Sequence, residues 1–254
     1  MKGCLESKGI LDVDSVGGTK FFWVAGDGNL VCVMAIAEEA KTKQQLSQLI
    51  NKAHEEGFTP LYLAALHGHA DVVQYLLDNG ATVDSVSNEK DTGSAGTTPL
   101  NAACEIGSSA IVNILLKSGA DVTKQREDGT DCAYAAAQRN HFAVLKMILP
   151  SNPNLAKRKV TRGNTILQVT ASNNHHECVR YIINHGGVST INVVNNFDDT
   201  PLTVAVRFDG DLKMIKLLIK NGADPQLNGY QGKTPLEWAE QKNKGDIANF
   251  LKTL

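Results

Sequence analysis

The sequence has no apolar run long enough to cross a lipid bilayer. Its strongest candidate, Leu30–Ala37, is eight residues long, whereas a membrane-spanning helix needs about 20. The N-terminal segment Met1–Ile10 contains Glu6 and no apolar stretch, so it does not resemble a signal peptide. We therefore expect a chain that does not associate with membranes, and a cytoplasmic or nuclear location.

Cysteine is scarce and widely spaced. The five cysteines in 254 residues do not form the spacing pattern of a disulfide framework, which favours a reducing compartment. Cys104 occupies a position reserved for small residues, and Cys32 lies within an apolar run. Both are predicted to be buried thiols that pack as small apolar side chains.

The net charge is also small. The chain carries 25 basic and 27 acidic residues, a net charge of -2, which argues against a general nucleic-acid binder. The content of hydrophobic residues, 42%, excludes a disordered chain. The near-neutral total conceals an asymmetry, since residues 1–116 sum to -7, residues 117–162 to +5 and residues 163–254 to zero.

No catalytic or cofactor-binding motif is present. Gly26-Asp27-Gly28 lacks the preceding strand and the spacing of a dinucleotide-binding loop, and no phosphate-binding, zinc-protease or nucleophile-elbow motif occurs. The run His175-His176-Glu177-Cys178 contains metal-binding residue types. However, Cys178 falls at an apolar helix position while His175 falls in a turn, so their ligand atoms should not converge. The sequence therefore predicts no enzyme, no cofactor and no metal site.

The main signal is an internal repeat, marked by a recurring Thr-Pro-Leu tripeptide with degenerate copies between. Most intervals are 33 to 35 residues, and the first two are 40 and 39. The units begin at Thr19, Thr59, Thr98, Asp131, Thr165, Thr200 and Thr234.

Each unit has the features of two short helices joined by a tight turn. The Thr is a helix N-cap, and the Pro at the next position loses no hydrogen bond there. Small residues such as Ala64-Ala65 follow, and they allow close helix packing. A Gly or Asn, as at Gly68 and Asn140, suits a left-handed turn. A second helix with apolar residues at helical spacing comes next, for example Val72-Val73 followed by Leu76-Leu77.

This combination of period, Thr-Pro-Leu, paired small residues, Gly turn and closing Gly-Ala-Asp resembles the ankyrin repeat. The match covers residues 18–254, in about seven units, and leaves residues 1–17 as a tail or partial cap. The resemblance implies an all-α solenoid of helix–turn–helix units with projecting β-hairpin-like fingers. We expect the chain to be monomeric when alone.

The resemblance implies a non-catalytic protein–protein interaction module, such as an adaptor, scaffold or inhibitor, that binds through its concave face. Two alternatives remain. One is an assembly chaperone or regulatory subunit of a larger complex. The other is a bacterial effector of ankyrin type that acts in the cytosol of a host cell.

The sequence departs from the family pattern in two ways. Ankyrin repeats usually have His after Thr-Pro-Leu, and here that position holds other residues, for example Tyr62 and Gln168. We expect the stabilising hydrogen bond of that His to be lost. In addition, the finger Ser87–Gly96 is elongated, which reflects either tolerance of a long loop or contact with a partner.

Candidate binding residues follow from the charge map and the repeat positions. In ankyrin-like proteins the fingers and first helices line the concave groove. Cations at those positions predict a partner protein with an acidic patch, although solvated surface charge is the simpler interpretation. Nucleic acid is disfavoured because residues 1–116 are acidic. The candidate residues are Tyr62, His67, Ile106, Lys124, Arg126, Arg139, Lys157, Arg158, Arg162, Arg207, Phe208 and Tyr230.

Overall fold

The computed structural model describes residues 9–88 and 95–254. Over these ranges the backbone forms helices and turns, with one isolated antiparallel bridge between Val13 and Thr19 and no longer strand. None of the helices in these ranges has both the length and the apolar character that a bilayer crossing requires. The chain divides into two compact units, Met1–Cys132 and Ala133–Leu254.

Within its described residues, 9–88 and 95–132, the first unit contains three helix pairs and a short additional helix. Its helices are α1 (Lys20–Gly26), α2 (Leu30–Thr42), α3 (Leu46–Ile50), α4 (Pro60–Leu66), α5 (Ala70–Asp78), α6 (Pro99–Ile106) and α7 (Ser109–Lys117). The first helices α1, α4 and α6 pack side by side in that order, and the second helix α5 contacts α2 and α7. The 40-residue interval between Thr19 and Thr59 accommodates the long helix α2 and the additional helix α3.

The second unit repeats the same arrangement with short 3₁₀ helices in its fingers. Its α-helices are α8 (Cys132–Gln138, beginning on the last residue of the first unit), α9 (Phe142–Ile148), α10 (Ile166–Ser172), α11 (His176–Asn184), α12 (Pro201–Arg207), α13 (Leu212–Lys220), α14 (Pro235–Gln241) and α15 (Gly245–Leu251). Helices α10, α12 and α14 stack in order, and the second helices pair as α9 with α11 and α13 with α15.

The repeated Thr residues cap the first helices, as predicted. The hydroxyl oxygen of Thr59 accepts a hydrogen bond from the backbone N–H of Tyr62 at 3.3 Å, and Thr98 accepts one from Asn101 at 3.2 Å. Thr19, Thr165, Thr200 and Thr234 do the same at their helices. Each cap satisfies a backbone donor that the helix itself leaves unpaired.

The predicted tight turns between helices are confirmed. Gly68 and Gly107 have φ of +86° and +77°, and Asn140 and Asn174 have φ of +62° and +58°. Glycine and asparagine tolerate this left-handed conformation best. The turn reverses the chain, so the second helix of each pair packs against the first.

The core of each unit forms between neighbouring repeats. The small residues of the first helices are completely buried, among them Ala64, Ala65 and Ala205. The apolar face of each second helix is buried too, as at Val72 and Leu76. Burying one large aliphatic side chain contributes about 1.5–3 kcal/mol, so this periodic burial accounts for much of the stability of the helix pairs.

The expected loss of a stabilising bond after Thr-Pro-Leu does not occur at Gln168. Its amide oxygen accepts hydrogen bonds from the backbone N–H and the hydroxyl of Thr165, at 2.7 and 3.1 Å. Its amide nitrogen donates to the carbonyl oxygens of Asp199 and Val193, at 2.7 and 3.2 Å. Gln168 therefore ties its own helix start to the next finger. Capping boxes also form at Thr200–Thr203 and Thr234–Glu237.

The prediction that Cys104 is a free thiol is wrong. Cys104 in α6 forms a disulfide with Cys132, across a sequence separation of 28 residues. Cys32 is also disulfide-bonded rather than a free thiol. Sequence spacing did not reveal the Cys104–Cys132 pair because bonding depends on the distance and direction of the two side chains, which only the packing of consecutive repeats establishes.

Two predictions concern segments that are wholly or partly outside the described residues. Residues 89–94 of the elongated finger Ser87–Gly96 lie outside them, as do residues 1–8 of the N-terminal tail. At the described edge of the finger, the backbone N–H of Gly96 donates to the carbonyl oxygen of Ser87 at 2.8 Å. In the tail, the indole N–H of Trp23 donates to Asp14 at 2.7 Å.

Candidate functional site

A cleft in the second unit lies between its fingers and the C-terminal ends of its first helices. Its volume is about 380 Å³, toward the small end of the range for ligand pockets. Residues of α8, α10 and α12 line it together with residues of the fingers that precede α10 and α12. Four of the predicted binding residues lie in this region, namely Arg162, Arg207, Phe208 and Tyr230, and the first three line the cleft directly.

An ion pair braces one wall of the cleft. The guanidinium of Arg207, at the end of α12, donates to the carboxylate of Asp199. The Asp199 side chain is 1% exposed, and its other oxygen accepts the backbone N–H of Tyr230 at 2.9 Å. Asp199 therefore holds both α12 and the following finger. A buried charge requires such compensation because it has lost its contacts with water.

Aromatic rings surround Arg207. Its guanidinium carbon lies 4.5 Å from the ring centre of Tyr230, 4.8 Å from that of Phe208 and 5.5 Å from that of Trp238. Cation–π contacts of this kind are worth about 0.5–2 kcal/mol each, more when water is excluded. The rings of Phe197 and Tyr230 meet edge to face at 6.2 Å. We call this group of Phe197, Phe208 and Tyr230 around Arg207 the aromatic end of the cleft.

Cations lie on the finger that precedes α10. Lys157 and Arg162 are exposed, and neither has a side-chain partner among the described residues. Arg158 is half-buried, and Lys159 donates to the carbonyl oxygen of Val194 at 2.7 Å. Arg139 follows α8 and is exposed. Lys157 and Arg162 are thus the cations of this finger best placed to meet a partner.

Left-handed backbone occurs at the fingertips of the second unit. Arg162 and Gln231 occupy equivalent positions in two fingers, with φ of +61° and +60°. Asp198, with φ of +62°, takes the position that Gly163 and Gly232 have in those fingers, because its N–H donates to the carbonyl oxygen of Asn195 as theirs donate to Val160 and Gly229. This left-handed region is uncommon for residues other than Gly, Asn and Asp. The side chains of Arg162, Asp198 and Gln231 are exposed.

The remaining predicted residues belong to the first unit. The ring of Tyr62 stacks on that of Phe58 at 4.5 Å, and Ile106 is 39% exposed. His67 donates from Nδ1 to the carbonyl oxygen of Gly26 at 2.8 Å. Lys124 is half-buried. Arg126 pairs with Glu105 at 2.6 Å, so its charge is already compensated within the unit.

The His- and Cys-containing run at 175–178 does not form a metal site in the described structure. His175 bonds the carbonyl oxygen of Ala137 at 3.0 Å, His176 contacts Asp211 at 3.1 Å and Cys178 donates to Asn140 at 3.3 Å. Burial raises the pKa of the Cys178 thiol to about 11, with a further contribution from Glu177. Within residues 9–88 and 95–254, no group of three His, Cys, Asp or Glu side chains is placed to hold a metal ion.

Most residues that line the cleft were not predicted as binding residues from the sequence, and three of these bear on what the cleft can bind. Gln138 and Asn173 line it with exposed amides that make no side-chain hydrogen bond within the described part of the chain. Phe197 lines it at a fingertip and is 41% exposed. An aromatic residue at a finger tip, next to a polar Asn-Asn and Asp-Asp, was the available sequence signal for Phe197. The two amides carried no such signal.

Comparisons with known proteins agree with the repeat architecture. The chain is 30% identical over 194 residues to the ankyrin repeat protein YahD of Escherichia coli strain K12, covering 74% of this chain and 92% of YahD. It is 32% identical over 197 residues to alpha-latrotoxin-Lg1a of Latrodectus geometricus, covering 77% of this chain but only 14% of the toxin.

Solved ankyrin repeat domains have the same fold. The human ASB11 ankyrin repeat domain matches with a TM-score of 0.76 and 27% identity, covering 93% of this chain and 97% of that domain. The Bcl-3 ankyrin repeat domain matches with a TM-score of 0.72 and 23% identity, covering 92% of this chain and 99% of that domain.

A family model described as ankyrin repeats (3 copies) matches residues 21–126, 84–159 and 133–229. Ankyrin repeat domains generally act as protein–protein interaction modules, and the fold is a non-enzymatic one. On the repeat spacing, the helix pairs and these matches, the chain belongs to the ankyrin repeat family.

Proposed function

We propose that this chain is a non-catalytic adaptor, scaffold or inhibitor that binds a partner protein through the cleft of its second unit. The observation that carries the proposal is the brace at Arg207. It fixes an exposed aromatic surface in place before any partner arrives. Binding then requires less ordering of the surface, which is the main way that preorganisation increases affinity.

The charge distribution supports a partner with an acidic surface. Residues 133–196 contain seven Lys or Arg and a single acid, Glu177. Glu177 lines a separate surface depression with Phe142 and Tyr181. The exposed acids Asp198 and Asp209 lie at the aromatic end of the cleft, so the uncompensated positive charge is concentrated on the finger that precedes α10. Complementary charge accelerates encounter and selects among partners, more than it increases affinity.

Site-specific photo-crosslinking tests where the partner binds. A photo-reactive amino acid replaces Gln138 in the cleft or, in a matched protein, Lys220 on the exposed side of α13. Both proteins are irradiated in an extract of the source cells, and the crosslinked proteins are identified by mass spectrometry. We expect one or a few proteins crosslinked at position 138 and not at 220. Crosslinks at 220 alone would refute binding through the cleft.

Charge reversal tests whether the partner presents an acidic surface to the finger that precedes α10. Lys157→Glu with Arg162→Glu changes two exposed cations on the finger, and Lys213→Glu with Lys220→Glu makes the same change on α13. The first pair should weaken capture of the crosslinked partner at least tenfold at low salt, because like charges now meet. The second pair should leave capture unchanged. Equal effects of the two pairs would contradict an acidic partner at the finger.

A further inference from the structure

The cleft has two chemically different ends, and together they restrict what can occupy it. All aromatic side chains of the described second unit that are strongly exposed lie at one end: Phe197 is 41% exposed, Phe208 50% and Tyr230 38%. Elsewhere in this unit the aromatic rings are buried or half-buried. Exposed aromatic surface grouped in this way is typical of an interaction site, and aromatic and Arg residues are enriched among the residues that dominate binding energy.

This aromatic end is rigid. Arg207 is fixed between the buried carboxylate of Asp199 and the faces of the surrounding rings. Tyr230 is fixed through its backbone N–H, which donates to the same carboxylate. A large apolar side chain can therefore dock against preformed ring faces without first ordering them.

The other end combines free amides with a positive charge. Gln138 and Asn173 present exposed amides, each with donor and acceptor groups. Arg162 stands at the rim, exposed and without a side-chain partner among the described residues. Amides can pair with the N–H and C=O groups of an extended backbone, while a guanidinium pairs best with a carboxylate.

From this arrangement we propose that the cleft binds an extended segment of a partner protein with two anchors: a carboxylate at Arg162 and a large apolar side chain at the aromatic end. The inference rests on the proposed function and specifies the partner segment. It also explains why the cleft is small, since only a few side chains of the segment enter it.

A single-stranded nucleic acid is the competing occupant, because bases also stack on aromatic rings. The aromatic end argues against it. Asp198 and Asp209 are exposed there, and Asp209 lines the cleft. A ligand with a negative charge on every unit would meet both carboxylates, whereas a peptide can place its acids at the Arg162 end alone.

Selection from a displayed library of random dodecamer peptides tests the proposal. The purified full chain is the target, and the enriched sequences are compared with those from variants of each end of the cleft and from a control variant. Arg162→Gln installs the residue that the finger before α14 has at the same backbone position, Gln231. Phe197→Ser removes one exposed ring. Lys220→Gln on α13 is the control, and circular dichroism verifies that each variant is folded.

We expect enriched peptides that carry an Asp or Glu several residues from a Phe, Trp, Leu or Met. Arg162→Gln should abolish the preference for the acid and leave the apolar preference in place. It should also weaken the binding of a synthetic peptide of the enriched sequence about tenfold. Phe197→Ser should abolish the preference for the apolar residue and leave the preference for the acid in place. Phe208→Ala, a second variant of the aromatic end, should have the same effect as Phe197→Ser. Lys220→Gln should change neither preference.

Three outcomes would overturn the inference. The first is enrichment of peptides without the paired anchors, and the second is enrichment that both variants leave unchanged. The third is displacement of the selected peptide by single-stranded poly(U) at comparable concentration. The proposed function is refuted by a different result, namely photo-crosslinks to a partner at position 220 and not at position 138. Peptides that need the cleft but lack the two anchors would therefore refute only the two-anchor segment.

Discussion

Replacing Asp199 by asparagine should destabilise the second unit by about 3 kcal/mol, at the lower end of the range for breaking a buried ion pair. The carboxylate is 1% exposed and compensates Arg207, whose side chain is 17% exposed. Arg207 keeps its ring contacts in the variant and can reach some water, which limits the loss. The Asn oxygen can still accept the N–H of Tyr230, so only the ionic contact is removed.

Removing the cation of this ion pair should destabilise the second unit more than removing the anion. In Arg207→Met the buried Asp199 carboxylate loses its cation, and the cation–π contacts with Tyr230 and Phe208 disappear as well. We expect a loss of about 4–5 kcal/mol. The double variant should be less destabilised than the sum of the two, with a coupling energy of about 2 kcal/mol, since neither charge is then left alone.

Urea denaturation measures these losses. The chain has two tryptophans, and Trp23→Phe leaves Trp238, which lies beside Arg207, as the only fluorophore of the indole type. Its fluorescence then reports on the second unit, while circular dichroism reports on the whole chain. Separate transitions by the two probes are expected of a repeat protein in which neighbouring units are partly independent.

The adjacent Asp198 provides the control. It is exposed, so Asp198→Asn should change the free energy of unfolding by no more than about 0.5 kcal/mol. If Asp199→Asn and Asp198→Asn had equal effects, or if the coupling energy between positions 199 and 207 were near zero, the ion pair would not brace the cleft.

Three further predictions concern other contacts. Gln168→Ala should cost about 2–3 kcal/mol in urea denaturation, because it leaves buried backbone groups unpaired; a loss under about 0.5 kcal/mol would show that the contacts to the next finger are weak. Reducing the Cys104–Cys132 disulfide should cost about 3.5 kcal/mol for a 28-residue loop, and native thiol titration should label neither cysteine before reduction. Hydrogen bonds from the backbone and hydroxyl of Thr234 lower the pKa of Glu237 from 4.5. Its stabilising contribution is therefore present above that value and lost as the pH falls through the lower folded pKa; Glu237→Gln should flatten this part of the stability profile below pH 4.5, and an unchanged profile would contradict the assignment.

The repeat could be predicted almost completely because it is encoded locally. A Thr followed by Pro caps a helix whatever lies elsewhere in the chain, and Gly68 or Asn140 adopts a left-handed turn for reasons of backbone sterics. The period then places the helix pairs without any knowledge of long-range contacts. The six Thr caps and the left-handed turns at Gly68, Gly107, Asn140 and Asn174 were correctly assigned on this basis.

The contacts between consecutive repeats could not be predicted in the same way. The bond from Gln168 to Asp199 spans 31 residues, and the Cys104–Cys132 disulfide spans 28. Both depend on the direction of side chains across the repeat interface. The repeat pattern places the two positions near each other but does not give the orientation of their side chains.

The candidate site was predicted in part. Position within the repeat and residue type gave twelve candidate binding residues, and four of them, Arg162, Arg207, Phe208 and Tyr230, lie around one cleft in the structure. Charge alone could not distinguish Arg207, which is held by Asp199, from Arg162, which has no such partner. That difference depends on the buried carboxylate of Asp199. The neighbouring Asp198 has the same side chain but is exposed, and the sequence does not distinguish the two.

The shared left-handed backbone at Arg162 and Gln231 has a consequence for how specificity can change over evolution. Two fingers present a cation and a neutral amide at the same position of the same loop geometry. Exchanging these side chains alters the charge that a partner meets and needs no new backbone conformation. New specificities are then reachable by single substitutions without a compensating change in the loops, and exchanging Arg and Gln between these two positions should be structurally neutral.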